Sequence, residues 1–245
     1  GDFAKLYSDP KSRYEAEQKQ FGGCVGIMSL FIFDLCYCGY FIIEAIFYFE
    51  VNFILYFLTE NLIPYEKCYP VHCWLDDVIP FCEYFVIPYV GWYLLIVGSL
   101  IYFALYNTDN FKNMSKYIII TQIVAMIIYI VFPSRQDLRP EVFMRDNIFT
   151  DIVGLLYAAD TCTGVCPSLH VAYSVGIAST WLREKSASKL CKTLIVTFCF
   201  FVCISVAFVK QHSVVDIFAA IPVCMLAEYI TFIRPQMIGV QHGKE

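Results

Sequence analysis

Residues 84–106, YFVIPYVGWYLLIVGSLIYFALY, contain no charged side chain. A helix needs about 20 mainly apolar residues to cross the hydrocarbon core of a bilayer, so this stretch predicts a membrane-spanning helix. Two further runs, 117–132 and 193–209, are also free of charge, and the run at 217–233 is interrupted only by Glu228. These runs predict an all-α polytopic membrane protein.

Two weaker segments complete a prediction of six transmembrane helices. The first, 22–49, carries Asp34 and Glu44, which are costly in lipid and are therefore expected to face the interior of the bundle. The other, 167–182, is short and has His170 as its only titratable side chain apart from a tyrosine. The chain is thus predicted to form a single membrane-embedded domain over 1–245, with a polar amino-terminal segment at 1–21 and a tail at 235–245.

Composition supports lipid as the solvent of this chain. Of the 245 residues, 59% are hydrophobic and 16% are charged, whereas soluble domains average roughly 45–50% and about 25%. The charge-free runs also lack the amphipathic stripe of a soluble helix. The net charge of −5 comes without a basic run, so no nucleic-acid partner is expected.

The cysteines do not form a metal-binding pattern. Twelve cysteines are scattered along the chain without a repeated C-x-x-C pair, so a zinc site is not expected. Five of them lie near loops, where disulfides are an open alternative if the loops face an oxidising space: Cys68, Cys73, Cys82, Cys162 and Cys166.

The distribution of Lys and Arg predicts the orientation. Twelve of the 17 fall on the side of the amino terminus and five on the other, and the positive-inside rule then places both termini in the cytoplasm. The loops at about 50–80, 133–166 and 210–213 are expected to face outward. Within or beside them, 148–160 predicts a short helix in the outer interface, and 52–58 is too short to span and is expected to lie at the surface.

Polar residues cluster in three segments on the predicted outer side: FPSRQDLRP (132–140), PSLH (167–170) and KQHSVVD (210–216). His212 and Asp216 are four residues apart and share one face of a helix. A carboxylate bonded to one imidazole nitrogen makes the other nitrogen a better base or nucleophile. Capping of the last helix by the same pair is the alternative.

The other two clusters suit an anion. Pro167 fits the first position of a helix, so the N–H groups around Ser168 point outward with its hydroxyl, beside the titratable His170. Arg139 and Arg135 have planar guanidinium groups that can donate two parallel hydrogen bonds to a phosphate. Binding of lipid head groups is the alternative role for both. The outward acidic groups do not cluster with the histidines at the spacing of metal ligands, so neither a metal nor another cofactor is expected.

The order RP…PSLH…H-x-x-x-D resembles the type 2 phosphatidic acid phosphatase superfamily, which includes membrane lipid phosphatases and the inositol phosphorylceramide and sphingomyelin synthases. The PSLH motif is most similar to that of the inositol phosphorylceramide synthase branch. Four segments carry the resemblance: DDVIPFCEYFVIPYVGWY (76–93), FPSRQDLRP, CPSLHVAYS (166–174) and KQHSVVDIFAA (210–220).

The resemblance implies a six-helix fold and a phosphohistidine mechanism without a metal. In that mechanism His212 attacks phosphorus, Asp216 orients it, and His170 protonates the leaving lipid alcohol. The phosphate oxygens are then held by the remaining candidates, Arg139, Ser168, Lys210 and Arg135. The substrate would be a membrane phospholipid or lipid phosphate, bound at the extracytoplasmic face (of the cell membrane in a bacterium).

At two positions where the phosphatases have a basic residue, this chain has an apolar one. Phe132 stands where the phosphatases have a lysine, and Val206 stands where they have an arginine. Three functions therefore stay open: a lipid-phosphate phosphatase, a lipid phosphotransferase that passes a phospho-head group to a lipid alcohol, and a non-catalytic lipid transporter on the same scaffold.

Overall fold

Residues 63–237 are described by the computed structural model of the protein, and they belong to one structural unit. Several predicted features lie outside these residues: the first span at 22–49 with Asp34 and Glu44, the segments 1–21 and 52–58, and the tail beyond 237. The predicted count of six spans and the position of the termini are therefore not addressed by the described part.

Helices make up 73% of the described residues, which confirms the helical class. The α-helices found there are α1 (Trp74–Val78), α2 (Val86–Tyr106), α3 (Thr108–Val131), α4 (Ile148–Ala159), α5 (Leu169–Arg183), α6 (Lys189–Phe208) and α7 (Val214–Glu228). Short 3-10 turns occupy Tyr65–Lys67 and Glu83–Phe85, and a π-helical turn at Tyr229–Ile233 continues α7. Two short strands, β1 (Tyr69–Pro70) and β2 (Ser134–Arg135), pair in parallel with Tyr69 opposite Ser134.

Four of the predicted spans are helices long and apolar enough to cross a membrane. They are α2 with its preceding turn (Glu83–Tyr106), α3, α6, and α7 with its continuation (Val214–Met237). The exposed face of α2 is apolar, in contrast to that of a soluble helix: it carries Ile87, Val90, Leu94, Val97, Ile101 and Leu105. The described residues therefore belong to an integral membrane protein.

The predicted span at 167–182 forms α5, which has only 15 residues. At 1.5 Å per residue this helix is about 22 Å long, shorter than a crossing needs. It is not among the helices long enough to count as a span, and it contacts α2, α3, α6 and α7 within the bundle. Its approach to α3 is close because Gly176 has no side chain, and a Cβ there would lie 2.4 Å from a ring carbon of Tyr117. The uncharged sequence of α5 therefore reflects burial among helices.

The helix predicted at 148–160 is confirmed as α4. Asn147 begins it, since its side chain accepts hydrogen bonds from the N–H groups of Phe149 (2.9 Å) and Thr150 (3.2 Å). Val153 is fully buried within a hydrophobic cluster that also contains Tyr89 of α2. Helix α4 is thus fixed by apolar packing and by a side-chain cap at its start.

Glu184 joins two connections of the bundle, the one between α2 and α3 and the one between α5 and α6. Its Oε2 accepts hydrogen bonds from the side chains of Asn107 (2.7 Å) and Asn110 (2.8 Å), and Oε1 accepts from the Ser186 hydroxyl (2.7 Å). Burial opposes ionisation, but the hydrogen bonds outweigh it and lower the pKa of Glu184 to about 2. The carboxylate is therefore charged at neutral pH.

Each cysteine in the described part of the chain is a free thiol, including the five for which disulfides were an open alternative. The loop thiol of Cys166 lies beside Asp216, and burial followed by that negative charge raises the pKa of Cys166 to about 12. These loops are thus ordered without disulfides.

Candidate active site

The candidate residues meet at one end of the bundle, where α5 and α7 both begin. The backbone N–H of Ser168 donates to the carbonyl of Asp216 at 3.1 Å, which ties the start of α5 to the first turn of α7. The rings of His170 and His212 lie 5.8 Å apart between centroids, at an angle of 63°. Both side chains are largely buried, with 8% of each residue exposed. The two predicted catalytic histidines are thus neighbours.

His212 and Asp216 contact each other as the spacing predicted. The distance from His212 Nδ1 to Asp216 Oδ2 is 3.3 Å, and the same nitrogen lies 3.0 Å from the carbonyl oxygen of Val165. A carbonyl oxygen only accepts hydrogen bonds, so Nδ1 carries the proton. The other ring nitrogen, Nε2, then holds a free lone pair, the form of histidine that acts as a nucleophile or base.

A tight turn presents His212. The N–H groups of Gln211 and His212 both donate to the carbonyl of Val206, at 3.0 and 3.1 Å, and Lys210 takes a left-handed conformation with φ of 54°. The Tyr157 hydroxyl of α4 donates to Val209 at 2.6 Å. Val206 itself is fully buried. This position, which corresponds to an arginine in the phosphatases that the sequence resembles, therefore belongs to the hydrophobic core here.

Asp76 of α1 holds the start of α7, a role that sequence reasoning missed. Its Oδ2 accepts from the Ser213 hydroxyl at 2.6 Å, and its Oδ1 accepts from the N–H of Val214 at 2.8 Å. Burial opposes the charge of Asp76, but these bonds outweigh burial and lower its pKa. The only local signal was the spacing of Cys73 and Asp76, which form a capping box at the start of α1; the contact with α7 left no pattern in the sequence.

His170 is held between two aromatic rings of α2. Tyr89 stacks on it with centroids 4.3 Å apart, and Trp92 stacks on it at 4.1 Å. The Nε2 atom of His170 is buried and has no hydrogen-bond partner among the described residues. Stacking, not a hydrogen bond to Nε2, therefore sets the orientation of this ring.

Ser168 occupies the position before α5, yet its side chain does not cap that helix. The hydroxyl is fully buried, and within residues 63–237 it has no partner. An unpaired hydroxyl at a helix start is available to an anion. The predicted nest of free, outward-pointing N–H groups is wrong at Ser168, because its N–H is bonded to the Asp216 carbonyl and its side chain is buried. Pro167 likewise precedes the cap and does not take the predicted first position of the helix.

Arg139 is hydrogen-bonded to Gln211, the residue that precedes His212. Its Nε and Nη2 donate to Gln211 Oε1 at 3.1 and 2.6 Å. Nη1 donates to the carbonyl of Tyr157 at 3.1 Å, and the guanidinium lies over the ring of that tyrosine at 4.6 Å. A further bond from Nη2 reaches the carbonyl of Thr161 at 2.7 Å. The positive charge of Arg139 is therefore fixed beside the His212 turn.

The other two candidate cations bind backbone carbonyls. The ammonium of Lys210 donates to Asp76 at 2.7 Å and Ile79 at 2.6 Å, and burial lowers its pKa. Arg135 donates through Nη1 to the carbonyls of Tyr65 and Cys68, each at 3.1 Å. These two side chains hold α1 and the loop that precedes β1.

Phe132 stacks on Tyr69 with centroids 4.9 Å apart and rings almost parallel. The second departure from the family pattern thus also has a structural role, because this contact lies beside the β1–β2 pair.

In the described part of the chain, no group of three or more His, Cys, Asp or Glu side chains is placed to hold a metal ion. An open groove of about 590 Å³ lies over α4 and is lined by residues that include Phe143, Arg145 and Leu155. It contains none of the candidate catalytic residues, which occupy a closed and buried position.

No known family model, no curated protein and no solved structure matches this chain.

Proposed function

We propose that the protein is an integral membrane lipid-phosphate phosphatase that works at the outer leaflet through a phosphohistidine intermediate. One observation carries this proposal: His212 Nδ1 lies 3.0 Å from a carbonyl oxygen and 3.3 Å from Asp216. In the neutral imidazole, that contact leaves the lone pair on Nε2, beside a second histidine, which is the pairing of nucleophile and acid that phosphoryl transfer through histidine requires.

In the first step, the lone pair of His212 Nε2 forms a bond to phosphorus as the bond from phosphorus to the lipid alcohol breaks. His170 gives a proton to the departing alkoxide. Because burial and the neighbouring His212 lower the pKa of His170 in the free protein, it takes up that proton together with the anionic substrate. His212 becomes a positively charged phospho-imidazole, which Asp216 stabilises through Nδ1–H. In the second step, water attacks phosphorus, His170 takes the proton from that water, and His212 is released in its starting form.

Binding of the phosphate falls to groups that lie next to these histidines. The Ser168 hydroxyl is available as a donor, and Gln211 holds the charge of Arg139 next to the His212 turn. All three cations donate hydrogen bonds to backbone carbonyls, but the guanidinium of Arg139 is also bonded to the side chain of Gln211, the residue before His212. The proposal therefore assigns phosphate binding to Ser168 and Arg139, and a positioning role to the other two cations.

A second candidate is a lipid phosphotransferase, in which the hydroxyl of an acceptor lipid replaces water in the second step. The burial of Val206 and the stacking of Phe132 favour it, since both family cation positions are apolar here. A site with fewer cations suits the single negative charge of a phosphodiester better than the double charge of a phosphomonoester. The limited exposure of both histidines also restricts access of water.

The test uses purified protein in mixed micelles with a lipid phosphomonoester or a phosphodiester, each with and without ceramide or diacylglycerol. Free phosphate indicates the phosphatase, and a new phospholipid indicates the transferase. His212→Ala and His170→Ala should each lower turnover by about a thousandfold or more. His72→Ala is the matched control, because His72 is half-exposed and contacts Asp77. Unchanged turnover in both active-site variants would refute the proposal.

A further inference from the structure

Unpaired buried polar atoms surround His170. The hydroxyl of Tyr89, the indole Nε1 of Trp92, the hydroxyl of Ser168 and Nε2 of His170 are all buried, and none has a hydrogen-bond partner within the described residues. More than 90% of buried polar groups in proteins are paired, so a cluster of unpaired ones calls for an explanation. Two of these atoms, on Tyr89 and Trp92, belong to side chains that the proposed mechanism does not use.

Both aromatic side chains are fixed at the site. Tyr89 is fully buried and Trp92 is 6% exposed. Their rings enclose the imidazole of His170 at 4.3 and 4.1 Å. Tyr89 also lies within electrostatic range of Arg139 and Asp160. Tyr89 is therefore stacked on the predicted acid and lies within electrostatic range of the arginine that is bonded to Gln211.

A phenol and an indole N–H are neutral donors that can bind an anion without carrying charge. Leaving such a donor unpaired in the apolar interior lowers the stability of the folded protein. A ligand with several acceptor oxygens would remove that cost. A tetrahedral oxyanion bound between His170 and His212 has such oxygens, and the site has lost two family cations at Phe132 and Val206 that would otherwise bind them.

We propose that the Tyr89 hydroxyl and the Trp92 indole N–H donate hydrogen bonds to the oxygens of the bound phosphoryl group, in place of the missing cations. This assignment rests on the proposed function, because it takes the space between the two histidines to be the phosphoryl site. The stacked rings serve two purposes: they orient His170, and they carry the donors that recognise its substrate.

Orthovanadate, a tetrahedral oxyanion, tests this assignment without requiring turnover. Its dissociation constant is measured by isothermal titration calorimetry on detergent-purified wild type, Tyr89→Phe and Trp92→Phe. Each variant should bind vanadate at least about tenfold more weakly, because a hydrogen bond to a charged group is lost. Tyr106→Phe and Trp74→Phe are the controls, since both residues are exposed, at 75% and 70%; they should bind as wild type does.

Thermal stability separates binding from folding. Tyr89→Phe removes a buried hydroxyl that has no partner in the described residues, so its melting temperature without vanadate should equal or exceed that of wild type. Weak vanadate binding together with a lower melting temperature would indicate a structural role and overturn the proposal. Wild-type affinity in both variants would also overturn it.

The indole signals give an independent readout if Trp92→Phe does not fold. The chain has three tryptophans, and Trp181 already donates to Ser99 at 2.9 Å. In ¹⁵N-tryptophan-labelled wild type, vanadate should shift the Trp92 indole N–H and leave that of Trp181 in place. No shift at Trp92, while vanadate binds, overturns the assignment but leaves the proposed function standing. Failure of wild type to bind vanadate in any of these experiments contradicts the proposed function itself.

Discussion

Asp76 is expected to control the stability of the site although it touches neither histidine. Its carboxylate accepts three hydrogen bonds, from the N–H of Cys73 at 2.8 Å, the Ser213 hydroxyl at 2.6 Å and the N–H of Val214 at 2.8 Å. Asp76→Ala leaves all three donors without this acceptor, and those of Ser213 and Val214 are buried. A hydrogen bond to a charged group contributes about 1.5–3 kcal/mol, and neighbouring bonds do not add fully. We therefore expect the free energy of unfolding to fall by about 3–5 kcal/mol.

The pH dependence of this effect has a definite sign. Because the pKa of Asp76 is lower in the folded protein, its ionised form stabilises the fold above the ordinary aspartate pKa of about 3.9. That contribution disappears as the pH falls through the lowered value. Asp76→Asn keeps one acceptor oxygen, so it should lose less stability than Asp76→Ala and should show a flatter decline in melting temperature below about pH 4.

The assay is unfolding of the purified protein in mixed micelles, followed by far-UV circular dichroism, with turnover measured in parallel. Asp77→Ala is the control, because this neighbouring carboxylate is exposed and pairs with the exposed His72. Turnover of Asp76→Ala should fall as well, since the first turn of α7 carries Asp216. Equal stability and turnover in the Asp76 and Asp77 variants would refute the assignment of Asp76 as the cap of α7.

Three further predictions follow from single contacts. Asp216→Asn should lower turnover by about a hundredfold or more with little loss of folding, because an amide orients the Nδ1–H of His212 less well; a turnover assay with a circular dichroism control checks this. In wild type, ionised Glu184 stabilises the fold above about pH 4.5, and this contribution is lost as the pH falls toward 2. Glu184→Gln should therefore show a smaller decrease in melting temperature between these pH values, which melting curves recorded across the range will measure. Cys166, with a pKa of about 12, should react slowly with iodoacetamide at pH 8 because little thiolate is present. Rapid alkylation of Cys166, detected by mass spectrometry, would contradict the burial of this thiol beside Asp216.

The spanning helices could be predicted because the relevant signal is local. Charge-free runs such as 84–106 exceed the length that a bilayer requires, whatever they pack against. The same rule is less decisive for α5, whose uncharged sequence also fits its contacts with α2, α3, α6 and α7. Composition therefore did not distinguish burial in lipid from burial in protein.

The pairing of His212 with Asp216 was predictable because four residues make one turn of a helix. The partners of Lys210 were not, because its ammonium reaches carbonyls at Asp76 and Ile79, more than 130 residues earlier. The stacking of Tyr89 on His170 joins α2 to α5 and likewise has no counterpart in local sequence. Local spacing thus predicted the contact of His212 with Asp216, while the contacts that surround it depend on tertiary structure.

The most direct test of the account is to trap the intermediate on His212. Protein mixed with a ³²P-labelled lipid phosphate and quenched in alkali should carry a label that is lost in acid, as phosphohistidine is. We expect the label on the peptide that contains His212, none in His212→Ala, and a slower rate of labelling in His170→Ala. Turnover without any label on His212, or an equal label in His212→Ala, would contradict the central role of this residue.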